Sequence, residues 1–413
     1  MDLQKKALRV CLLSYRSNPH CGGQGVYIKN LSRALSDLGH KVEVLAGNPP
    51  PILDDDIKLT MVPGLDLYNP DNLNKTPSFK KLLKPVNFIE WFINATNGYP
   101  EPFIYGIKAY QYLKKRFSEF DIIHDNQSLS YGVLHISRYV PVVATIHHPM
   151  TRDRDIAVKS TRSLLKKARN MRWYSFISMQ QFTARKLPHV ITVSECSKQD
   201  IVKDYSIPEN KISVIPNGID TNIFYPVEGV EREKNRLIVT NSADGPLKGL
   251  FYLLHAVHKV SQKRAVFLTV IGTPKKGGIV AKLVKELNLG SIVEFTGRIS
   301  NEEFRQRYAK VTAAVIPSVY EGFGLPVGEA MASRVPVICT TGGALPEVAG
   351  DAAVLVPPGD IDALADAIHE MFDNPEKARK LGADGYQRVL DQFSWKSAAE
   401  MTVDKYLKVI RER

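Results

Sequence analysis

The chain has 413 residues, 44% hydrophobic and 24% charged, with 27 glycines, 25 prolines and a net charge of +12. That length predicts two domains, each large enough to bury its own core, and the composition excludes collagenous, mucin-like and mostly disordered chains. The charge is lopsided, because residues 1–224 carry 30 Lys and Arg against 20 Asp and Glu while residues 225–413 carry 25 against 23.

The apolar run Ala7–Leu13 soon meets Ser14, Arg16 and Pro19 with no small-residue cleavage site, so it is read as a first strand and not a signal peptide. No apolar stretch reaches the roughly 18 residues a membrane-spanning helix needs. The four cysteines, Cys11, Cys21, Cys196 and Cys339, form no C-x-x-C pair, and a reducing cytoplasm is the expected location. Gly22-Gly23-Gln24-Gly25 leads into a predicted helix, Val26–Leu38, with Ile28, Leu31 and Leu35 on one face. Gly39 ends it and a strand at 41–46 completes a βαβ opening. Residues 49–85, rich in Pro, Asp, Asn and Lys, read as an irregular insertion. A helix near Phe103–Phe117 and strands at 121–124, 140–146 and 189–193 follow. After Lys211–Asp220 the pattern restarts, which places a domain boundary within residues 215–235, taken as 1–224 and 225–392. Strands are expected at 236–240, 265–271, 292–295, 313–316, 336–339 and 353–356, with helices between them. Two successive α/β repeats predict two doubly wound, Rossmann-like domains facing a cleft.

Chemistry must come from motifs, because this architecture hosts many functions. The most informative stretch runs from Pro317 to Val337 and contains Glu321-Gly322-Phe323-Gly324-Leu325-Pro326 and, further on, Glu329. A strand ending at Ile316, a glycine-rich turn and a proline suited to a first helical turn would expose backbone N–H groups at a helix N-terminus, a ready anion site. Carboxylates beside it accept hydrogen bonds from hydroxyls, so ribose and hexose are natural ligands, and a loop with two solvated glutamates is the alternative.

The sequence here resembles the retaining family-4 glycosyltransferases, which have the GT-B fold and carry two Glu separated by seven residues, matched by Glu321 and Glu329. Further pieces in the same order are Gly22-Gly23, Thr145-Ile146-His147, Ile215-Pro216-Asn217-Gly218, Lys248-Gly249, Gly297-Arg298 and Gly342-Gly343. The resemblance implies that Glu321 contacts donor hexose hydroxyls, that backbone N–H groups of Phe323, Gly324 and Leu325 lie near sugar and diphosphate, and that Glu329 holds the ribose. It also puts base reading at the main chain around Arg298 and Ile299, and Gly22 and Gly23 beside the donor phosphate. A helix from Phe393 to Arg413 would return to the first domain.

Lys248 opens a predicted helix from Leu247 to Val260. A cation there runs counter to the helix dipole and makes sense with an anion between them; a solvated lysine is the alternative. The family's usual Arg five residues earlier is here Ala243, beside Ser242, so one diphosphate charge lacks its customary partner. His147 follows a strand at the end where ligands bind, and the resemblance places it beside the anomeric carbon; His124, Asn126 and His148 are expected on the acceptor side. Neither Asp153-Arg154-Asp155 nor Asp360-Ile361-Asp362 ends an apolar strand, and no metal or other cofactor is expected. Residues 151–190 hold ten basic side chains against Asp153 and Asp155 and interleave them with Leu164, Leu165, Met171, Trp173 and Phe182. This pattern suits an anionic membrane surface at the inner face of the membrane or, equally, the solvated face of a core helix; no nucleic-acid module is present.

The implied activity is metal-independent transfer of a hexose, with retention, from a nucleoside-diphosphate sugar, a UDP-sugar foremost, to a hydroxyl of a lipid, glycan or small molecule. A nucleotide-sugar 2-epimerase of the same fold and a non-catalytic nucleotide- or glycan-binding protein are the alternatives.

Overall fold

The computed structural model describes residues 7–18, 22–68, 77–161, 163–240 and 245–413. The expectations concerning Ala243 and Ser242 lie outside these residues. The chain divides into two units, residues 1–216 with 395–413, and residues 217–394. The units part at 216/217, within the expected 215–235 stretch and a few residues before 224/225. Ile219 shows why, since its N–H donates to Phe393 O at 2.8 Å and its side chain packs against Gly328 within the second unit.

The first unit holds a seven-stranded parallel sheet of β1 (Arg9–Ser14), β2 (Lys41–Ala46), β3 (Lys58–Met61), β4 (Ile122–Asn126), β5 (Val142–Ile146), β6 (Val190–Thr192) and β7 (Ile212–Val214), in the order β3-β2-β1-β4-β5-β6-β7. Its helices are α1 (Gly23–Asp37), α2 (Phe79–Leu82), α3 (Pro85–Ala95), α4 (Glu101–Leu113), α5 (Tyr131–Ile136), α6 (Thr151–Lys159), α7 (Leu164–Trp173), α8 (Ile177–Lys186) and α9 (Glu195–Tyr205). The second unit has α10 (Leu250–Ser261), α11 (Ile279–Glu286), α12 (Asn301–Lys310), α13 (Leu325–Ala332), α14 (Leu345–Ala349), α15 (Ile361–Asp373) and α16 (Pro375–Gln392). These surround a six-stranded parallel sheet of β8 (Arg236–Thr240), β9 (Phe267–Ile271), β10 (Val293–Phe295), β11 (Ala313–Ile316), β12 (Val337–Thr340) and β13 (Ala353–Val356), ordered β10-β9-β8-β11-β12-β13. The last helix, α17 (Trp395–Arg411), belongs to the first unit, where it packs on α1.

Helices cover both faces of each parallel sheet, so central strands are apolar on both sides. In β1, Val10 and Leu12 join the core beneath α1 and α17, whereas Cys11 and Leu13 join the opposite core with Tyr105, Val133 and Ile201. Each sheet reverses its winding once, between β1 and β4 and between β8 and β11. The carboxyl ends of strands at such a switch point are where open α/β sheets bind ligands.

The segment expected to be irregular holds β3, paired in parallel with β2 from Glu43↔Lys58 to Ala46↔Met61. As an edge strand it exposes Lys58 and Leu59, and its alternation of Leu59 and Met61 with Lys58 and Thr60 spans only four residues within a stretch rich in Asp and Pro. The basic segment forms three helices, α6 to α8. Asp153 sits in the first turn of α6, and Asp360 caps α15 by accepting from the N–H groups of Asp362 and Ala363.

Candidate functional site

In the second unit, Lys248 and Glu321 meet at the switch point. Lys248 does not open a long helix as expected; it ends a single 3-10 turn, Pro246–Lys248, and Gly249 then takes a left-handed conformation (φ 67°) before α10 begins. Two contacts fix this turn against the loop after β11. Leu247 O accepts from Val319 N at 2.7 Å, and Gly249 lies so close to Pro317 that an added Cβ would stand 1.8 Å from the Pro317 carbonyl oxygen. The loop is backed on its other side by Gly343 (φ 65°), where a Cβ would stand 2.2 Å from Glu321 O, and by Ala344 N donating to the same oxygen at 2.9 Å. Lys248 Nζ thereby donates to Glu321 Oε1 at 2.7 Å, and Ser318 Oγ donates to that oxygen, also at 2.7 Å. The anion inferred beside Lys248 is thus, in this structure, the Glu321 carboxylate.

Glu321 is followed by α13, whose N-cap is Gly324. Phe323 is buried with its ring edge-on to Phe393 at 5.7 Å, which anchors the turn at the helix start. The first N–H groups of α13 lack intrahelical acceptors and offer a site for negative charge. Glu329 lies within the same helix. Burial raises its carboxyl to about 7, and the positive charge of Lys248 pulls the other way. Arg298, exposed, and Ile299 lie in the loop between β10 and α12, at the carboxyl edge of the same sheet but on its outermost strand. Among the described residues no cluster of three or more His, Cys, Asp or Glu could hold a metal ion.

In the first unit the structure assembles a second group around His147, which follows β5. His147 Nε2 lies 2.7 Å from Asn126 Oδ1, while Asn126 Nδ2 donates to Gln24 O at 3.3 Å and Ser14 Oγ at 3.2 Å. Because a carbonyl only accepts, the Gln24 contact fixes which way the Asn126 amide faces, and His147 must carry its proton on Nε2. Nδ1 keeps the lone pair. Burial, reinforced by the neighbouring His148 and His124, lowers the imidazole to about 3, so it is neutral at physiological pH. Gln127 (φ 59°) continues the β4–β5 pairing with its side chain, accepting from His147 N and donating to His148 O, both at 2.8 Å. The turn carrying Asn126 and Gln127 is held by the buried Asp125, which accepts from Ser128 Oγ and Leu129 N. Gly22 and Gly23 form the N-cap and first residue of α1, and Gln24 links that turn to Asn126.

One acceptor-side expectation changes, that for His124. His124 is not at a strand end, because β4 runs on to Asn126; its ring is buried between Tyr406 Oη at 2.6 Å and Thr145 Oγ1 at 2.7 Å, and burial lowers it to about 3. It is a core histidine, out of reach of any acceptor. His148 turns to Asp153, with Nε2 2.7 Å from Oδ2. Ser318 and Gln127 went unrecognised in the sequence, since a serine or an amide beside a strand end has no signature by itself.

Comparison with known proteins decides the family. Residues 21–223 match the model described as Glycosyltransferase Family 4 and residues 224–388 the model Glycosyl transferases group 1. The chain is 43% identical over 408 residues to the MMP alpha-(1->4)-mannosyltransferase of Mycolicibacterium hassiacum, covering 98% of each. The chain belongs to the glycosyltransferases of the GT-B fold. This glycosyltransferase is also 29% identical over 243 residues to an alpha-maltose-1-phosphate synthase of Mycolicibacterium smegmatis, covering 53% of this chain and 63% of that one. Sucrose-phosphate synthase from Thermosynechococcus elongatus shares its fold, with a TM-score of 0.74 at 22% identity over 98% of this chain and all of that one. Anabaena HepE in complex with UDP and glucose does so with a TM-score of 0.70 at 17% identity, over 96% and 99%.

Proposed function

We propose that this glycosyltransferase moves a mannosyl group, with retention, from a nucleoside-diphosphate mannose to a hydroxyl of a glycan acceptor, forming an alpha-(1->4) linkage. The observation that carries the reading is the convergence of Lys248, Glu321 and the start of α13 at the switch point of the second unit. The relative of 43% identity, a mannosyltransferase by name, supports mannose as the sugar. In this reading Glu321 orients donor hydroxyls, Lys248 and the N–H groups at the start of α13 take up the charge of the departing diphosphate, and Glu329 accepts from the ribose hydroxyls. The side-chain cation and the helix start do the work that a metal does elsewhere, so the reaction proceeds without one. In the first unit burial keeps His147 neutral and Asn126 holds its proton on Nε2, so that Nδ1 accepts a hydrogen bond from a sugar hydroxyl and neither gives nor takes a proton. Loss of the diphosphate leaves an oxocarbenium-like centre; the acceptor hydroxyl adds from the face the diphosphate left and passes its proton to a leaving phosphate oxygen.

The test supplies purified protein with UDP-mannose, GDP-mannose or UDP-glucose, each with and without α-mannosyl oligosaccharides, in the presence of EDTA. Acceptor-dependent release of one nucleoside diphosphate from a mannose donor, lost in Glu321→Ala with an unchanged melting curve, is the expected result. Full activity of Glu321→Ala would overturn the site, and selective use of UDP-glucose would overturn the choice of sugar.

A further inference from the structure

The most unusual surface of the first unit lies on α2, α3 and α7. In α3 the only buried side chain is a carboxylate, Glu90, which is 3% exposed. It accepts from Leu65 N at 2.7 Å and faces Lys108 Nζ at 3.5 Å, so the one charged residue of this helix points inward. Its large apolar residues point outward: Phe88, Ile89 and Phe92 are exposed, and in the preceding turn so are Phe79, at 78%, and Leu83. Next to it, α7 buries no side chain at all and exposes Leu164, at 80%, with Leu165 and Met171. The two helices meet where Arg172 Nη2 donates to Thr96 Oγ1 at 3.0 Å and Trp173 packs on Tyr68 and Tyr99. A monomer seldom leaves so many large apolar side chains together in water, so the face is covered in use.

Charge selects the cover. Lys80, Lys81 and Lys84 flank the apolar residues of α2 and α3, and Lys166, Lys167 and Arg169 those of α7. Between residues 77 and 98 the one carboxylate is the buried Glu90, and residues 156–194 contain none. A second copy of the chain would bring cations against cations. A nucleic acid or acidic protein would answer the charge but leave Phe79 and Leu164 without hydrocarbon. We infer that the face formed by α2, α3 and α7 docks the enzyme on an anionic lipid bilayer, its Phe and Leu side chains entering the interface while the lysines meet the headgroups. No helix among the described residues is long and apolar enough to cross a membrane, so this attachment is peripheral and reversible.

The inference does not depend on the proposed sugar chemistry, and its test reads binding directly. The full chain is sedimented with vesicles of phosphatidylcholine alone or with one-third phosphatidylglycerol, and Trp91 within α3 reports insertion by a blue shift of its emission. Binding to the anionic vesicles only, weakened by salt, is expected. Combining Lys80→Gln, Lys81→Gln and Lys84→Gln should weaken it about a hundredfold, at the few-fold per cation that an anionic leaflet supplies. Phe88→Ser with Phe92→Ser should abolish the blue shift, and both variants should keep the parent's melting curve and its activity on soluble substrates. Failure to bind anionic vesicles would overturn the inference. Binding unaffected by the Phe variant would do so too, as would a concentration-dependent dimer that the Phe variant dissociates.

Discussion

In the proposed donor site the raised carboxyl of Glu329 should make nucleotide-sugar binding depend on pH. Its ordinary value is 4.5 and its value in the fold is about 7, because burial on α13 disfavours the charge. Ribose hydroxyls donate to a carboxylate, so binding favours the ionised form, which is about a tenth of the population at pH 6 and about nine-tenths at pH 8. Affinity for a nucleotide sugar should therefore rise close to tenfold between these pH values, with uptake of a proton by the buffer. The diphosphate of a nucleotide sugar has no ionisation in this range, so the slope belongs to the protein. The same shift acts on stability with the opposite sign. The folded value lies above the unfolded one, so the fold favours the neutral carboxyl, and the second unit should lose up to about 3 kcal/mol as pH rises from below 4.5 to above 7. Calorimetric titration in buffers of different ionisation enthalpy measures the first effect and thermal melts the second. Glu329→Gln should flatten both. Affinity that is level between pH 6 and 8, or that rises on acidification, would refute the assignment of Glu329 to the ribose.

Three further predictions concern the residues that hold the site together. Lys248→Ala should lower kcat by about 10²–10³, the usual cost of removing one group that stabilises developing charge, while leaving the melting temperature within a degree or two of the parent; an unchanged kcat would remove Lys248 from the reaction. Gly249→Ala forces a Cβ toward the Pro317 carbonyl and adds about 1–2 kcal/mol for the left-handed backbone alone, so both stability and activity should fall, and a variant equal to the parent in both would show that this contact does not set the Lys248 turn. Nitrogen-15 NMR should show His147 protonated on Nε2 and not titrating between pH 5 and 8; Asn126→Asp should place a charge against that nitrogen and bring the titration into range, whereas a parent His147 that titrates near 6.5 would contradict the tautomer argument.

How much of this was legible in the sequence followed from burial. Strands such as Leu237–Val239 and Ala313–Ile316 are covered on both faces and stand out as apolar runs. The edge strand β3 and the inverted helix α3 were hidden for the opposite reason: one is four residues long with no fully buried side chain, and the other buries a glutamate and exposes its phenylalanines. In the candidate site, Glu321 and Glu329 were marked by their glycine-rich setting, and Lys248 by its conflict with the helix dipole. Their contact was not legible, because it depends on how closely the Gly249 turn approaches Pro317. His124 was misplaced by a matter of two residues, since a strand ending at His124 would present it to ligand while one ending at Asn126 buries it. The reach of β4 depends on its pairing with β5 as far as Asn126↔Thr145, which composition does not reveal.

The central claim is that the Lys248–Glu321 site carries retaining mannosyl transfer. The most direct measurement is the proton NMR spectrum of a reaction of the purified enzyme with nucleoside-diphosphate mannose and a mannose oligosaccharide, followed from the first turnover. The account predicts a new α-anomeric signal growing in step with release of the diphosphate, absent without acceptor and absent in Glu321→Ala. A β-anomeric product, conversion of the donor sugar at C2 without acceptor, or donor binding with no turnover would each contradict it.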